Sequence, residues 1–347
     1  MAGKLILILR DFFATEGGPA DAIPDGLRPR LPALETLLAT ARSRALAGGW
    51  REDLAARFAS ASLAAESPAA IAAKAWLGPL VAAPARFWLA TPVHYFAGLD
   101  SVQLHPSGLL DLPLATQAAL AADFNRVFAD SAWRLYASGR RELLLAGPAL
   151  EAAGEDPARF LGRKLKREQA RGAGAVELRR LAVEIEMWLH EHALNLQRQA
   201  GGELPVSGLW LWGSQPLAQA AQQPRAAQQP RLEAACADAR LYGEDTFAEA
   251  LWRLLAGTHL PLPARLASAL DAAVELHVVL YPTAAVPGAG DALEQLEQDW
   301  LSPALTALRA GSLTAVELLA SSHAYRLRRL NLARFWRTRT PWREALA

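Results

Sequence analysis

Ser207-Gly208-Leu209-Trp210-Leu211-Trp212-Gly213-Ser214-Gln215 sets two tryptophans around a leucine and closes on glycine. Helical amphipathicity does not account for that spacing. A short buried strand does, with Trp210 and Trp212 on one face, Leu211 on the other and a tight turn at Gly213. Just upstream, His190-Glu191-His192-Ala193-Leu194-Asn195-Leu196-Gln197-Arg198 ends an apolar-periodic stretch, so the two segments read as helix, Gly201-Gly202 break, strand and loop. One helix over 175–199 is expected, with Leu178, Leu181, Ile185, Trp188 and His192 along a single stripe.

Outward from this unit the chain alternates. Leu5-Ile6-Leu7-Ile8-Leu9 reads as a buried opening strand, followed by a loop rich in Gly and Pro and by helix-like segments at 33–46, 50–60 and 68–77. Residues 87–96 and 101–105 read as a hairpin around Gly98-Leu99-Asp100, then come a helix at 114–129 and a strand pair near 132–137 and 141–146. That middle block looks like a compact α+β unit. Beyond the tryptophan strand, Ala220-Ala221-Gln222-Gln223-Pro224-Arg225 is repeated at once as Ala226-Ala227-Gln228-Gln229-Pro230-Arg231, a polar, Pro-punctuated duplication read as a surface loop. Helices at 246–256 and 291–310 then alternate with strands at 275–281 and 314–320, which predicts a parallel sheet covered on both faces.

Composition bounds the class of protein. With 347 residues, 52% hydrophobic content and a net charge of +1, the chain is globular and has no general attraction for nucleic acid or anionic lipid. Cys236 is the sole cysteine, which excludes an intrachain disulfide and a cysteine-rich metal site. The apolar run after Met1 is shorter than a signal-peptide core, and no later run reaches the roughly 18 apolar residues of a membrane span. The expectation is a cytoplasmic protein with no membrane partner.

The order of segments resembles the RpfE-type bacterial proteins and, more distantly, the archaeal-type cofactor-independent phosphoglycerate mutases of the alkaline phosphatase superfamily. His192, Asn195 and Arg198 resemble that family's His-Pro-x-Asn-x-x-Arg run, and Pro205 to Gly213 its Asn-x-Ile-Trp-Leu-Trp-Gly segment. Pro92-Val93-His94, the hairpin around Asp100 and Asp123-Phe124-Asn125 resemble its inserted domain. The resemblance implies an alkaline-phosphatase-like α/β core, a parallel sheet covered by helices, over 1–84 and 204–347, with an inserted α+β subdomain over 85–203. It also implies two divalent metals, Mn or Zn, held by Asp and His, and a Ser or Thr that takes the phosphoryl group, because paired cations neutralise the attacking and leaving oxygens.

The implied ligands are mostly replaced. Asp11 follows the first strand but stands between Arg10 and Phe12; Ser67 occupies the nucleophile's place, yet Pro68 and Ile71 stand where an acid and an imidazole are implied. After 275–281 the chain reads Ala284-Ala285-Val286-Pro287-Gly288, with Ala284 and Gly288 where two ligands are implied, and near the last strand it offers Ser322-His323. The reading is therefore a degenerate, non-catalytic relative acting as a regulatory or ligand-binding module without a cofactor. The alternative is a metal-dependent mutase or phosphotransferase rebuilt around Asp11, Ser67 and His323.

Each candidate also has a plain structural reading. His192 is either a core histidine bonded to a backbone carbonyl or, with Asn195 and Arg198, part of a cleft where the Arg198 fork takes a small phosphorylated or carboxylate ligand. Trp210 and Trp212 either pack or line that cleft. Arg326, Arg328, Arg329, Arg334, Arg337, Arg339 and Arg343, interleaved with Phe335, Trp336 and Trp342, form either a surface strand and helix or an interaction segment for an acidic protein partner. The near-neutral total charge speaks against nucleic acid.

Overall fold

The computed structural model describes residues 3–10, 30–46, 49–78, 86–98, 101–165, 170–216, 238–282, 289–320, 322–333 and 340–342. Its elements begin with β1 (Gly3–Leu9), α1 (Pro32–Thr40), β2 (Arg42–Ala45), α2 (Trp50–Phe58), α3 (Ala61–Ala64) and α4 (Pro68–Trp76). They continue with β3 (Arg86–Ala97), β4 (Val102–Leu109), α5 (Leu114–Val127), β5 (Arg134–Tyr136), β6 (Leu143–Gly147), α6 (Ala175–His190), α7 (Ala193–Ala200) and β7 (Gly208–Trp212). Then follow β8 (Ala239–Tyr242), α8 (Thr246–Leu254), β9 (Thr258–Leu260), α9 (Leu266–Leu270), β10 (Leu276–Tyr281) and α10 (Ala289–Leu296). A π turn over Glu297–Leu301, α11 (Ser302–Ala310), β11 (Leu313–Ala320) and β12 (His323–Arg328) complete the order.

Two compact units divide these elements: the described residues up to 60, 238–244 and from 252 onward form one, and 61–216 with Asp245–Leu251 form the other. The first unit carries a seven-stranded sheet in the order β2-β12-β11-β1-β10-β8-β9. β11, β1, β10, β8 and β9 run parallel, and β12 turns antiparallel between β11 and β2. β1 and β10 are near-continuous apolar runs buried on both faces, as strands in the middle of a helix-covered parallel sheet must be. This is the α/β core with a mostly parallel sheet that the alternating sequence predicts.

A core around Leu7, Val279, Val316, Trp300 and Leu305 fills one side of that sheet. α1 packs there, and its start lacks a side-chain cap because Leu31 offers no oxygen. The Glu297 carboxylate, from the distant π turn, accepts the Ala33 and Leu34 amides instead. Burial pushes the Glu297 carboxyl up, against the pull of those two amides.

The second unit holds an antiparallel sheet in the order β4-β3-β6-β5, with β7 also paired to β3. β3 pairs with β6 along residues 86–90, with β7 along 89–93 and with β4 from 93 to 97, where the register slips between Val93 and Tyr95. Trp88, Leu145, Leu178, Ile185, Leu209 and Leu211 belong to its core. The side of β7 away from β3 is met by Gly154, which bridges Trp212 and donates its amide to the Leu211 carbonyl at 3.2 Å. A Cβ at position 154 would lie 2.6 Å from that oxygen, so only glycine lets the chain come so close.

Three sequence expectations differ from what forms. The tryptophan strand does not join the parallel sheet: β7 completes the antiparallel sheet against β3, and α4 packs on β3, so the unit limits depart from the expected 84/85 and 203/204. The helix expected over 175–199 is broken: α6 ends at His190, His192 is extended at φ −71° and ψ 136°, and α7 starts afresh. β2, β8 and β9 form without having been anticipated, β2 within the stretch 33–46 that reads as helical, while β12 agrees with the surface strand weighed for the arginine-rich segment.

Candidate functional site

The Trp-Leu-Trp-Gly segment and Ser67 meet within the second unit. Gly213, at φ +72°, lets the chain turn after Trp212, and its carbonyl accepts the Ala69 amide at 2.9 Å. That bond ties the first turn of α4 to the end of β7. Ser67 is the N-cap of α4: its Oγ accepts the Ala70 amide at 3.1 Å, and Pro68 takes the first helical position. Pro68, Ala69, Ile71 and Ala72 are all buried, so the turn around this hydroxyl is apolar and contains no acid or imidazole. Beyond Gly213, the Ser214 hydroxyl donates to the Ala152 carbonyl at 2.7 Å, and Arg86 donates to the Ser214 carbonyl at 3.1 Å.

Both indoles of β7 are buried on one face. Trp210 Nε1 donates to the Glu155 carbonyl and Trp212 Nε1 to Thr91 Oγ1, each at 2.8 Å, while Leu209 and Leu211 point into the opposite core. Phe160 packs against Trp210 at 5.2 Å between ring centres. Alternation along the strand thus gives each tryptophan a polar partner for its one donor.

His192, Asn195 and Arg198 are brought together at the break between α6 and α7. His192 Nδ1 accepts the Leu194 amide at 3.1 Å, so its proton sits on Nε2, 3.4 Å from Asp123 Oδ2. The hydrogen bond from Arg126, with His192 adding to it, holds the Asp123 carboxyl below its ordinary value. Asn195, 4% exposed, donates to the carbonyls of Leu189 at 2.7 Å and Val206 at 2.9 Å and accepts the Val206 amide at 2.7 Å. Arg198 Nε donates to the Leu204 carbonyl at 2.8 Å, and its Nη1 pairs with Glu203 at 2.9 Å. Asn195 and Arg198 staple the helix break to the segment that leads into β7, while His192 caps α7.

The remaining candidates lie apart from this group. His323 opens β12 in the first unit and faces the Ser322 hydroxyl at 3.1 Å. Asp11, Ala284 and Gly288, with Cys236 and Arg334, Arg337, Arg339 and Arg343 of the arginine-rich segment, fall outside the described residues. Among the described residues, no three His, Cys, Asp or Glu side chains group as a metal site. His94 and His105 face each other at 5.6 Å across the register slip of β3, and burial lowers the His94 pKa. His94 Nδ1 lies 2.9 Å from the Pro205 carbonyl and therefore carries the proton, so it cannot act as a base toward Ser207 Oγ at 3.1 Å.

Two buried polar groups escape sequence reasoning. Asp245 caps α8 by accepting the Phe247 and Ala248 amides, Glu249 accepts the Asp245 amide, and Thr246 donates to Glu142. Arg140 lies over the Trp76 ring at 4.8 Å and in ion-pair contact with Glu249. Asp245 followed by Glu249 is close to a capping signature and offered a signal. In the first unit, Arg44, Asp53, Arg57 and Glu317 form a closed ion network, of which the Asp53–Arg57 helical spacing alone is visible in the chain.

No family model matches the chain, and no curated protein matches it either. Among solved structures it is similar to a cofactor-independent phosphoglycerate mutase from Thermoplasma acidophilum, at 15% identity and a TM-score of 0.36, over 93% of this chain and 89% of that one. It is also similar to the PH0037 protein from Pyrococcus horikoshii, at 9% identity and a TM-score of 0.45, over 94% and 87% of the two chains. At such identities and TM-scores the likeness adds no weight to the geometry of the site.

Proposed function

We propose that this chain is a non-catalytic, phosphoglycerate-mutase-like protein that acts as a regulatory or ligand-binding module for a small phosphorylated or carboxylate molecule. The observation that carries the reading is the state of Ser67: its oxygen caps α4 inside a buried apolar turn, with Ile71 where an imidazole is implied. A hydroxyl nucleophile needs a base, a lowered pKa or a metal to activate it, and the turn supplies no group for the purpose. Asn195 and Arg198 play a structural part in this reading, since their polar atoms are bonded to the chain's own backbone and to Glu203, and the ligand is taken elsewhere.

The implied pair of divalent cations does not fit these side chains. Ala284 and Gly288 carry no donor, and His323 has a serine beside it in place of a carboxylate. Purified protein supplied with Mn²⁺ or Zn²⁺ and 3-phosphoglycerate is expected to form no 2-phosphoglycerate above the protein-free rate. Turnover that disappears in Ser67→Ala, while that variant stays folded by circular dichroism, would reverse the reading.

A further inference from the structure

The edge of the seven-stranded sheet in the first unit carries more arginine than its own carboxylates can use. β12 lies between β11 and β2, and the register sets Arg326 directly opposite Glu317 on one side and directly opposite Arg42 on the other. Arg328 and Arg44 follow two residues away on the same face of their strands. Glu317 and Asp53 are already taken. Arg44 reaches Asp53 at 2.6 Å and Glu317 at 3.2 Å, while Arg57 reaches Asp53 at 2.7 Å and Glu317 through both Nη atoms. Two carboxylates and two guanidiniums close on each other, and Glu317 is held below its ordinary pKa by Arg57 and Arg44 despite burial.

Arg42, Arg326 and Arg328 are left over: among the described residues none has a carboxylate at ion-pair distance. Like charges directly opposite each other in an antiparallel ladder destabilise it, and strand neighbours sit only about 5 Å apart. The half-buried Arg326 lies in the field of these cations. Burial first, then Arg328, and then Arg57 and Arg44 lower its pKa against the pull of Glu317. Forked donors without carboxylate partners on two adjacent strands match what a multiply charged oxyanion requires.

We propose that Arg42, Arg326 and Arg328 form a binding site for a phosphate group on the β2–β12 edge of the sheet. The ligand is a phosphate monoester or inorganic phosphate, held by guanidinium forks from two adjacent strands. The site is independent of Ser67 and of the α6–α7 break, and it needs no metal.

The probe is inorganic phosphate added to the full chain, compared with sodium chloride at matched ionic strength, with calorimetry for Kd and thermal unfolding for stability. Phosphate is expected to stabilise the protein beyond chloride, the folded-to-unfolded ratio rising about a hundredfold at a hundred times Kd. Arg42→Gln and Arg326→Gln should each weaken phosphate about tenfold, while Arg309→Gln, on the exposed side of α11, keeps the wild-type response. In phosphate-free buffer Arg42→Gln should be about as stable as wild type, because the exposed Arg42 has no ion pair among the described residues to lose; a merely structural arginine would lose stability in both buffers. A phosphate response no larger than that to chloride, or one equal in wild type and both variants, would overturn the site. So would tight binding of a single-stranded oligonucleotide without any response to inorganic phosphate, which would mark an extended polyanion surface instead.

Discussion

Ser67 and Asn195 show how a polar side chain can be consumed by the backbone beside it. Ser67→Ala removes the acceptor for the Ala70 amide and should cost about 1 kcal/mol in urea unfolding, whereas Ser67→Thr should retain most of the cap. Asn195→Ala strands the Leu189 and Val206 carbonyls and the Val206 amide. Each unmet buried group costs about 1–3 kcal/mol, so a loss of roughly 3 kcal/mol or more is expected, with Asn195→Asp no better because a carboxylate would face two carbonyls. His277 titrates against the fold. It is buried against Tyr242, Nδ1 finds no partner among the described residues, and burial, with Arg240 adding, lowers its pKa from 6.5 to about 4. The folded state therefore keeps the neutral ring while the unfolded chain takes up a proton. Stability from this residue is complete above pH 6.5 and is lost as pH falls toward 4, with a slope of at most about 1.4 kcal/mol per pH unit. Urea midpoints measured across that window should fall less steeply in His277→Phe. The alternation of Trp210 and Trp212 was readable from spacing alone, but the role of His192 was not. Its ring accepts the Leu194 amide and caps α7 at a break where the apolar period reads as one continuous helix.

At the scale of elements, α1 depends on a carboxylate nearly as far from it as the chain allows. Glu297→Ala leaves the Ala33 and Leu34 amides without their acceptor, and should cost about 1–2 kcal/mol. Amide exchange should show it as faster opening of the first turn of α1, with the strand amides of β1 unchanged. Elements whose reason is local were legible: β1 and β10 from continuous apolar runs, α5 from its period, and the β3–β4 pair from its turn. β2 was not, because Arg42-Ser43-Arg44-Ala45 has no apolar alternation, closes a stretch that reads as helical and becomes a strand only by pairing with residues 323–326. The stretch 291–310 read as one helix, and the π turn at Glu297–Leu301 divides it at the residue whose carboxylate caps α1.

At the scale of the molecule, each unit has its own core, one around Trp300 and Leu305 and one around Trp88 and Ile185. Scanning calorimetry should accordingly give a van't Hoff enthalpy below the calorimetric one, since two cores need not melt as one. The class of fold was legible from strands alternating with helices, while the unit limits were hidden because β7 follows the long helical region yet pairs with β3, about 120 residues earlier. The candidate site was legible as a set of names and not as a role: Ser67, His192, Asn195 and Arg198 could each be singled out, and Ser67 before Pro68 fits a helix cap, but no spacing rule identifies Asp123 for His192, Val206 for Asn195 or Leu204 for Arg198. Gly154, where the chain presses against β7, bears on the protein's behaviour in a crowded solution. Any side chain there would force the segment off the Leu211 carbonyl and bare that outer acceptor of an apolar, aromatic strand, the template on which stray chains assemble. Gly154→Val should therefore declare itself first by light scattering, as a tendency to associate that rises with concentration, while the glycine of the native chain acts as a guard against misassembly.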